Sequence, residues 1–412
     1  MEEILRKLQK EASGSKHRAI KESCTCAIET LDSPDAAIKI PPYQLREKCL
    51  LPLQLALESK SMKLAQQALA GMQKLLSDER FVSVETDSDE KQLLNQMLNA
   101  VKVTPSLNED LQVEVMKVLL CITYTSTFEL NGSSVLKIAE VCIETYVSSC
   151  HQRSINTAVR ATLSQMLSDL TLQLRQKQEN MTIENNEALQ KFKSQGASAE
   201  SLCDDVVSVL TVLCEKLQAV INDNRQLQLL YLECILSMLN SSSPSMHQHK
   251  GFTDLIWKQL CPALVVILGN PIHDKTITSA HSSICLEADS LSSGVSDHGR
   301  GSGCSSTAPA LSGPVARTIY YIAAELVRLV GTVESMKPVL QSLYHRILLY
   351  PPPQHRVEAI KIMKEILGSP RRLCDLAGPC SSESESRKRS ISKRKSHLDL
   401  LKLYALFRPL AS

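Results

Sequence analysis

Aromatic residues are scarce in this sequence: Phe, Tyr and Trp make up 4% of 412 residues, and there is one Trp. Sheets draw on aromatic and β-branched side chains, so their scarcity, beside abundant Leu, Ala, Ser, Lys, Glu and Gln, favours helices. Charge of one sign is missing too. With 46 Lys and Arg against 44 Asp and Glu, the formal net charge is +2. That excludes a nucleic-acid or membrane surface covering the whole chain and leaves only local basic sites. No apolar run reaches bilayer length, the best stretch being 260–269, and no signal peptide precedes the first helix. A soluble protein is expected.

Signatures of catalysis are absent as well. The sequence has no GxxxxGK[ST] phosphate loop, no GxGxxG after a strand, no HExxH and no GxSxG turn. Ten histidines are spread along it, and those on helices, such as His345, fit solvated or core positions. The carboxylate pair Asp204 and Asp205 fits the polar face of a helix. The 14 cysteines are scattered, many at apolar helix positions (Cys121, Cys142, Cys214, Cys234, Cys261), which suits a reducing compartment. Cys24 with Cys26, and His247 with His249, lack a second pair at metal-site spacing. No enzyme is expected: no catalytic residue, no cofactor and no metal.

What the sequence does contain is helical periodicity, segment after segment, broken by short runs of Pro, Gly, Ser, Asn and Asp. The spacing predicts helices near 2–11, 15–31, 43–58, 60–77, 89–102, 108–124, 133–150, 153–178, 183–194, 199–220 and 223–240, then 250–268, 314–331, 334–349 and 353–367. Short connections make neighbours antiparallel hairpins, and stacked hairpins make a solenoid. The expected fold is all-α, a helical-hairpin solenoid of HEAT/armadillo type, with a pair of compact bundles as the alternative. An N-terminal helical domain is expected over 1–240 and a second helical region over 241–368. The latter carries a disordered insertion at about 270–313, rich in Ser, Gly, His and Asp. A disordered linker follows over 369–396, then a truncated helix and tail over 397–412.

The linker runs SSESESRKRSISKRKS over 381–396. Its basic half suits an import patch, an anionic-lipid contact or a solvated linker. Ser390 and Ser396 follow clustered Arg and Lys and are phosphorylation candidates, since phosphate there offsets the patch charge.

One helix carries a leucine out of place. On 161–176, ATLSQMLSDLTLQLRQ, the side chains of Leu163, Met166, Leu167, Leu170 and Leu174 share a face. Leu172 points away from it, among Gln165, Ser168, Asp169 and Gln176, with Ala158 and Ala161 on the same side. A neighbouring hairpin could cover it. The other reading makes Gln165, Asp169, Leu172 and Gln176 a partner-binding strip.

The stretch 157–167, TAVRATLSQML, with 51–60, 70–76, 111–120 and 136–146 in order, resembles consecutive helices of the dimerisation and cyclophilin-binding (DCB) domain of the large brefeldin A-inhibited Arf guanine-nucleotide exchange factors, in their divergent third branch. The match is best over 1–180 and looser over 250–268 and 314–367. The resemblance implies a regulatory helical scaffold that self-associates, binds proteins including small GTPases of the Arf/Arl type, and acts in vesicle trafficking. It also implies a cytoplasmic protein with at most peripheral contact to Golgi or endosomal membranes and no nucleic-acid partner. Two alternatives stand beside it: exchange activity on Arf GTPases, expected only in a longer chain, and a nuclear-transport-like helical adaptor.

Overall fold

The computed structural model describes residues 1–33, 40–81, 87–124, 131–184, 192–220, 224–269, 313–349, 357, 359–362 and 364. Every regular element among them is helical. The expected insertion near 270–313, the linker with Ser390 and Ser396, most of the predicted helix at 353–367 and the fragment from 397 lie outside the described residues. The chain divides into two units, Met1–Ala263 and Leu264–Ser412.

The first unit holds α1 (Glu2–Glu11), α2 (Arg18–Asp32), α3 (Pro42–Glu58), α4 (Met62–Ser77), α5 (Asp87–Val101), α6 (Glu109–Thr123), α7 (Gly132–Ser149), α8 (Arg153–Glu184), α9 (Phe192–Ala219), α10 (Arg225–Ser241) and α11 (Lys250–Leu268) as far as Ala263. Each helix buries its apolar stripe against the next, and the packing sorts them into two layers. In one, α1, α4, α6, α8 and α10 lie side by side in that order; in the other, α2, α3, α5, α7, α9 and α11 do so. Cross-helix bonds give the directions. The Ser154 hydroxyl donates to Glu109, and farther along the same two helices Tyr124 faces Asp169, so α6 and α8 run parallel. Arg160 reaches Glu233 and, one turn on, Ser164 and Ser237 share a hydrogen bond at 2.8 Å, so α8 and α10 are parallel too. Lys137 donates to Asn95 across α7 and α5 at 2.9 Å. Stacked hairpins of this kind form the expected solenoid.

Side chains account for the local departures. Asn108, Asn131 and Asn224 each accept a hydrogen bond from a first-turn backbone N–H, capping α6, α7 and α10. Pro52 sits inside α3, where it donates nothing to the helix ladder, and is buried. At Gly71 of α4 an added Cβ would lie 2.7 Å from Cδ2 of Leu53 and 3.4 Å from Cγ2 of Ile4, so a missing side chain lets α4 approach α3 and α1.

Three expectations need correction. Of the helix predicted over 183–194, residues 183 and 184 belong to α8, which no Pro or Gly interrupts, and 192–194 open α9, while 185–191 lie outside the described residues. The helix expected over 250–268 is not uniformly α, because Ile256–Leu260 forms a π turn. Pro262 has no N–H and crowds the carbonyl four residues back, which a widened preceding turn relieves. The apolar run expected to be too short for a bilayer belongs to a helix of 19 residues that is long and apolar enough to cross one. Length and composition fit a core helix equally, and Phe252, Leu255, Ile256 and Leu260 of α11 are buried where it packs on α9.

The second unit contains α12 (Gly313–Val330) and α13 (Lys337–Leu349). Ile319, Tyr320, Ala323 and Leu326 are buried, and the Tyr344 hydroxyl donates to the Ala323 carbonyl at 2.9 Å, tying the two helices together.

Candidate docking surface

Helix α8 touches α6, α7, α9 and α10. Ile155, Val159, Leu163, Met166, Leu167, Leu170 and Leu174 are each 2% exposed or less, so the core face is the predicted one. Thr162 and Thr171 are buried as well, the latter donating to the Ser168 carbonyl at 2.9 Å. What remains open is a strip between α6 and α10. Ala161, Gln165, Leu172 and Gln176 are exposed there, and Ala158, Ser168 and Asp169 are half-buried.

The structure brings two of the four candidate residues into direct contact: Gln165 Nε2 donates to Asp169 Oδ1 at 2.9 Å. Leu172 follows one turn on and is 37% exposed. Gln176 is exposed a further turn along. The other Asp169 oxygen, Oδ2, is shielded from water and has no hydrogen-bond partner among the described residues. Burial pushes the carboxyl of Asp169 above the usual range, and the Gln165 hydrogen bond only partly opposes this.

Sequence reasoning missed the neighbouring helix. Lys117 and Tyr124 of α6 are exposed, and Val113, Leu120 and Cys121 on the same side are half-buried. Tyr124 is 61% exposed; partial desolvation of its hydroxyl and the Asp169 charge raise its pKa. The spacing 113, 117, 120, 121, 124 was a legible signal for one helix face, but not for its place beside Asp169.

Other polar groups are occupied within the fold. Glu2 of α1 receives Arg80, which also holds Asp78, and the Glu2 carboxyl is pulled down to about 2, chiefly by the Arg80 hydrogen bond. His249 Nε2 meets Asp204 at 3.0 Å, while Asp205 lies against Gly132 at the N-terminus of α7, so the acidic pair serves two separate contacts. His247 Nδ1 faces the Pro244 carbonyl. Cys24 is buried and Cys26 exposed. Burial pushes the Cys24, Cys49 and Cys142 thiols up to about 12, which makes poor nucleophiles. Among the described residues no three His, Cys, Asp or Glu side chains gather as metal ligands. The surface can offer apolar contact and hydrogen bonds, which suits a protein partner.

Residues 1–172 match the family model described as the Mon2/Sec7/BIG1-like dimerisation and cyclophilin-binding domain. Over 406 residues, 98% of the chain, it is 85% identical to brefeldin A-inhibited guanine nucleotide-exchange protein 3 of Homo sapiens and 83% identical to that of Mus musculus, covering 19% of each. Brefeldin A-inhibited guanine nucleotide-exchange protein 1 of Rattus norvegicus is 25% identical over 217 residues, 47% of this chain and 11% of that protein. The chain thus spans about a fifth, at most, of the relatives it matches.

Proposed function

Since this chain belongs to the brefeldin A-inhibited guanine nucleotide-exchange protein family and carries its dimerisation and cyclophilin-binding domain over residues 1–172, we propose that it is a non-catalytic helical scaffold. It self-associates and binds protein partners, and through them regulates Arf-dependent vesicle trafficking. The match over 1–172 carries the reading, and the open strip on α8 supports it. Gln165, Asp169, Leu172 and Gln176 are the proposed contacts. Domains over 1–240 and 241–368 are part of the same proposal, as is modification of Ser390 and Ser396 to tune the basic run. The protein works in the cytoplasm and peripherally on Golgi or endosomal membranes, with small GTPases of the Arf/Arl type among its partners.

Two measurements test this. Light scattering on the full chain should return the mass of an oligomer; a monomer at every concentration removes the self-association. The triple variant Leu172→Ala, Gln165→Ala, Asp169→Ala should keep the parent's helicity, because none of the three lies on the core face, yet lose partner capture. A folded triple variant that keeps every partner and its oligomeric mass removes the strip. The relatives' names favour one alternative, guanine-nucleotide exchange by this stretch itself. Release of a fluorescent nucleotide from Arf, unchanged on adding the chain, is the expected result.

A further inference from the structure

We propose that the outer face of α6 and α8 is where two copies of this chain meet, with Lys117 of each copy set against Asp169 of the other. The proposal rests on the self-association reading and adds to it the surface and the pairing.

The face is self-complementary. With Ser154 against Glu109 and the helices parallel, Tyr124 comes level with Asp169, and Lys117 lies seven residues before Tyr124 on the same side of α6, which places it about 10 Å from the level of Asp169 along the axes. A cation therefore marks one end of the face and a carboxylate the other. Between them lie Leu120 and Cys121 of α6 and Ala161, Gln165 and Ser168 of α8, with Leu172 at the acidic end. A two-fold axis lying in the surface midway between the charges brings each Lys117 onto the other copy's Asp169, so one contact forms twice.

Each charge has something to gain. Among the described residues Lys117 pairs with Glu114 of its own helix, at 2.5 Å, the side chains being 58% and 41% exposed, the kind of ion pair that is easily exchanged. Asp169 is half-buried, takes an amide hydrogen from Gln165, and among the described residues has no cation paired with it. A lysine arriving from a second copy supplies the missing cation to a carboxylate already partly withdrawn from water, where a charge pair counts for more. Tyr124 and Leu172 would then be covered together beside that charge pair, a tyrosine next to an aliphatic side chain at each end of the contact, with Leu120 and Gln165 nearest the axis.

A charge swap tests the pairing in the full chain. Lys117→Glu and Asp169→Lys should each weaken self-association about tenfold by sedimentation equilibrium, since each sets like charges together twice. The double variant Lys117→Glu, Asp169→Lys should restore the parent's Kd. If the parent is a dimer and all three variants match it, the dimer forms elsewhere and this surface fails while self-association stands. If the parent is monomeric throughout, self-association itself fails and this proposal goes with it. Circular dichroism accompanies each variant. Should Asp169→Lys lose helicity, the exposed Lys117→Glu carries the test by itself, and an unchanged Kd overturns the proposal. Loss of another protein's capture on Lys117→Glu, with the dimer intact, assigns the face to that protein and overturns it equally.

Discussion

Two carboxylates of the first unit make an instructive pair. Glu2, on α1, and Asp169, on α8, are both partly withdrawn from water, and their charge states move in opposite directions. Glu2 receives both terminal nitrogens of Arg80 and is pulled down to about 2, while Asp169 receives an amide from Gln165 and is pushed up by burial. Where the fold brings a cation from 78 residues away, the acid becomes part of the scaffold. Where, among the described residues, it brings none, the acid stays on the strip proposed as a contact.

The sharpest way to break this comparison lies on α8 itself. Leu163→Asp or Leu170→Asp should cost more than about 4 kcal/mol and abolish helicity, because each buries an unpaired charge among side chains 1% exposed or less. Leu172→Asp, on the open strip of the same helix, should leave the thermal midpoint nearly in place. A Leu163→Asp chain that melts like the parent would mean that the two faces have been misassigned.

Next in size is the close crossing near Glu2. Gly71→Leu should lower stability by about 1–3 kcal/mol in urea unfolding, since its first added carbon already meets Leu53 and Ile4. At an open helix position replacing Gly with a better helix former stabilises instead, so an increase would show that the crossing is loose.

Acid titration separates the two carboxylates directly. A depressed carboxyl contributes stability above its ordinary pKa, 4.5 for Glu2, and that contribution is lost as pH falls through the folded value near 2. Arg80→Gln should therefore lower stability at pH 7 and leave a smaller difference from the parent near pH 2. For Asp169 the sign reverses. A raised carboxyl binds its proton more tightly when folded, so its ionisation weakens the fold as pH rises through the ordinary carboxylate range to the folded value. Asp169→Asn should gain slightly on the parent at pH 7 and match it in acid, the smallest effect of the series. Urea midpoints across that range, with both variants moving the same way, would dissolve the contrast.

Much of this was legible one helix at a time. Periodicity of 3.6 residues is local, so it placed Leu163, Met166, Leu167, Leu170 and Leu174 inside and Leu172 outside before any neighbour was known. Helix ends without Pro or Gly were less legible: α8 runs past 178 through polar, helix-tolerant residues, and the π turn before Pro262 reflects strain that spacing does not record. Half of the candidate surface was hidden for a different reason. Nothing in α6 considered alone points Tyr124 toward Asp169, 45 residues later.

By itself, then, the sequence determined that the chain is helical, which stripe of each helix is apolar, and that one leucine of α8 stands apart from its core face, because backbone geometry and side-chain spacing are set within a few turns. The tertiary structure alone decided that α6, α8 and α10 run parallel in one layer, that Arg80 belongs to Glu2 and Asp78, and that Lys117, Tyr124, Asp169 and Leu172 share a surface. Those facts depend on which helix packs beside which, and that is settled by many weak apolar contacts acting together over the whole unit rather than by any one segment.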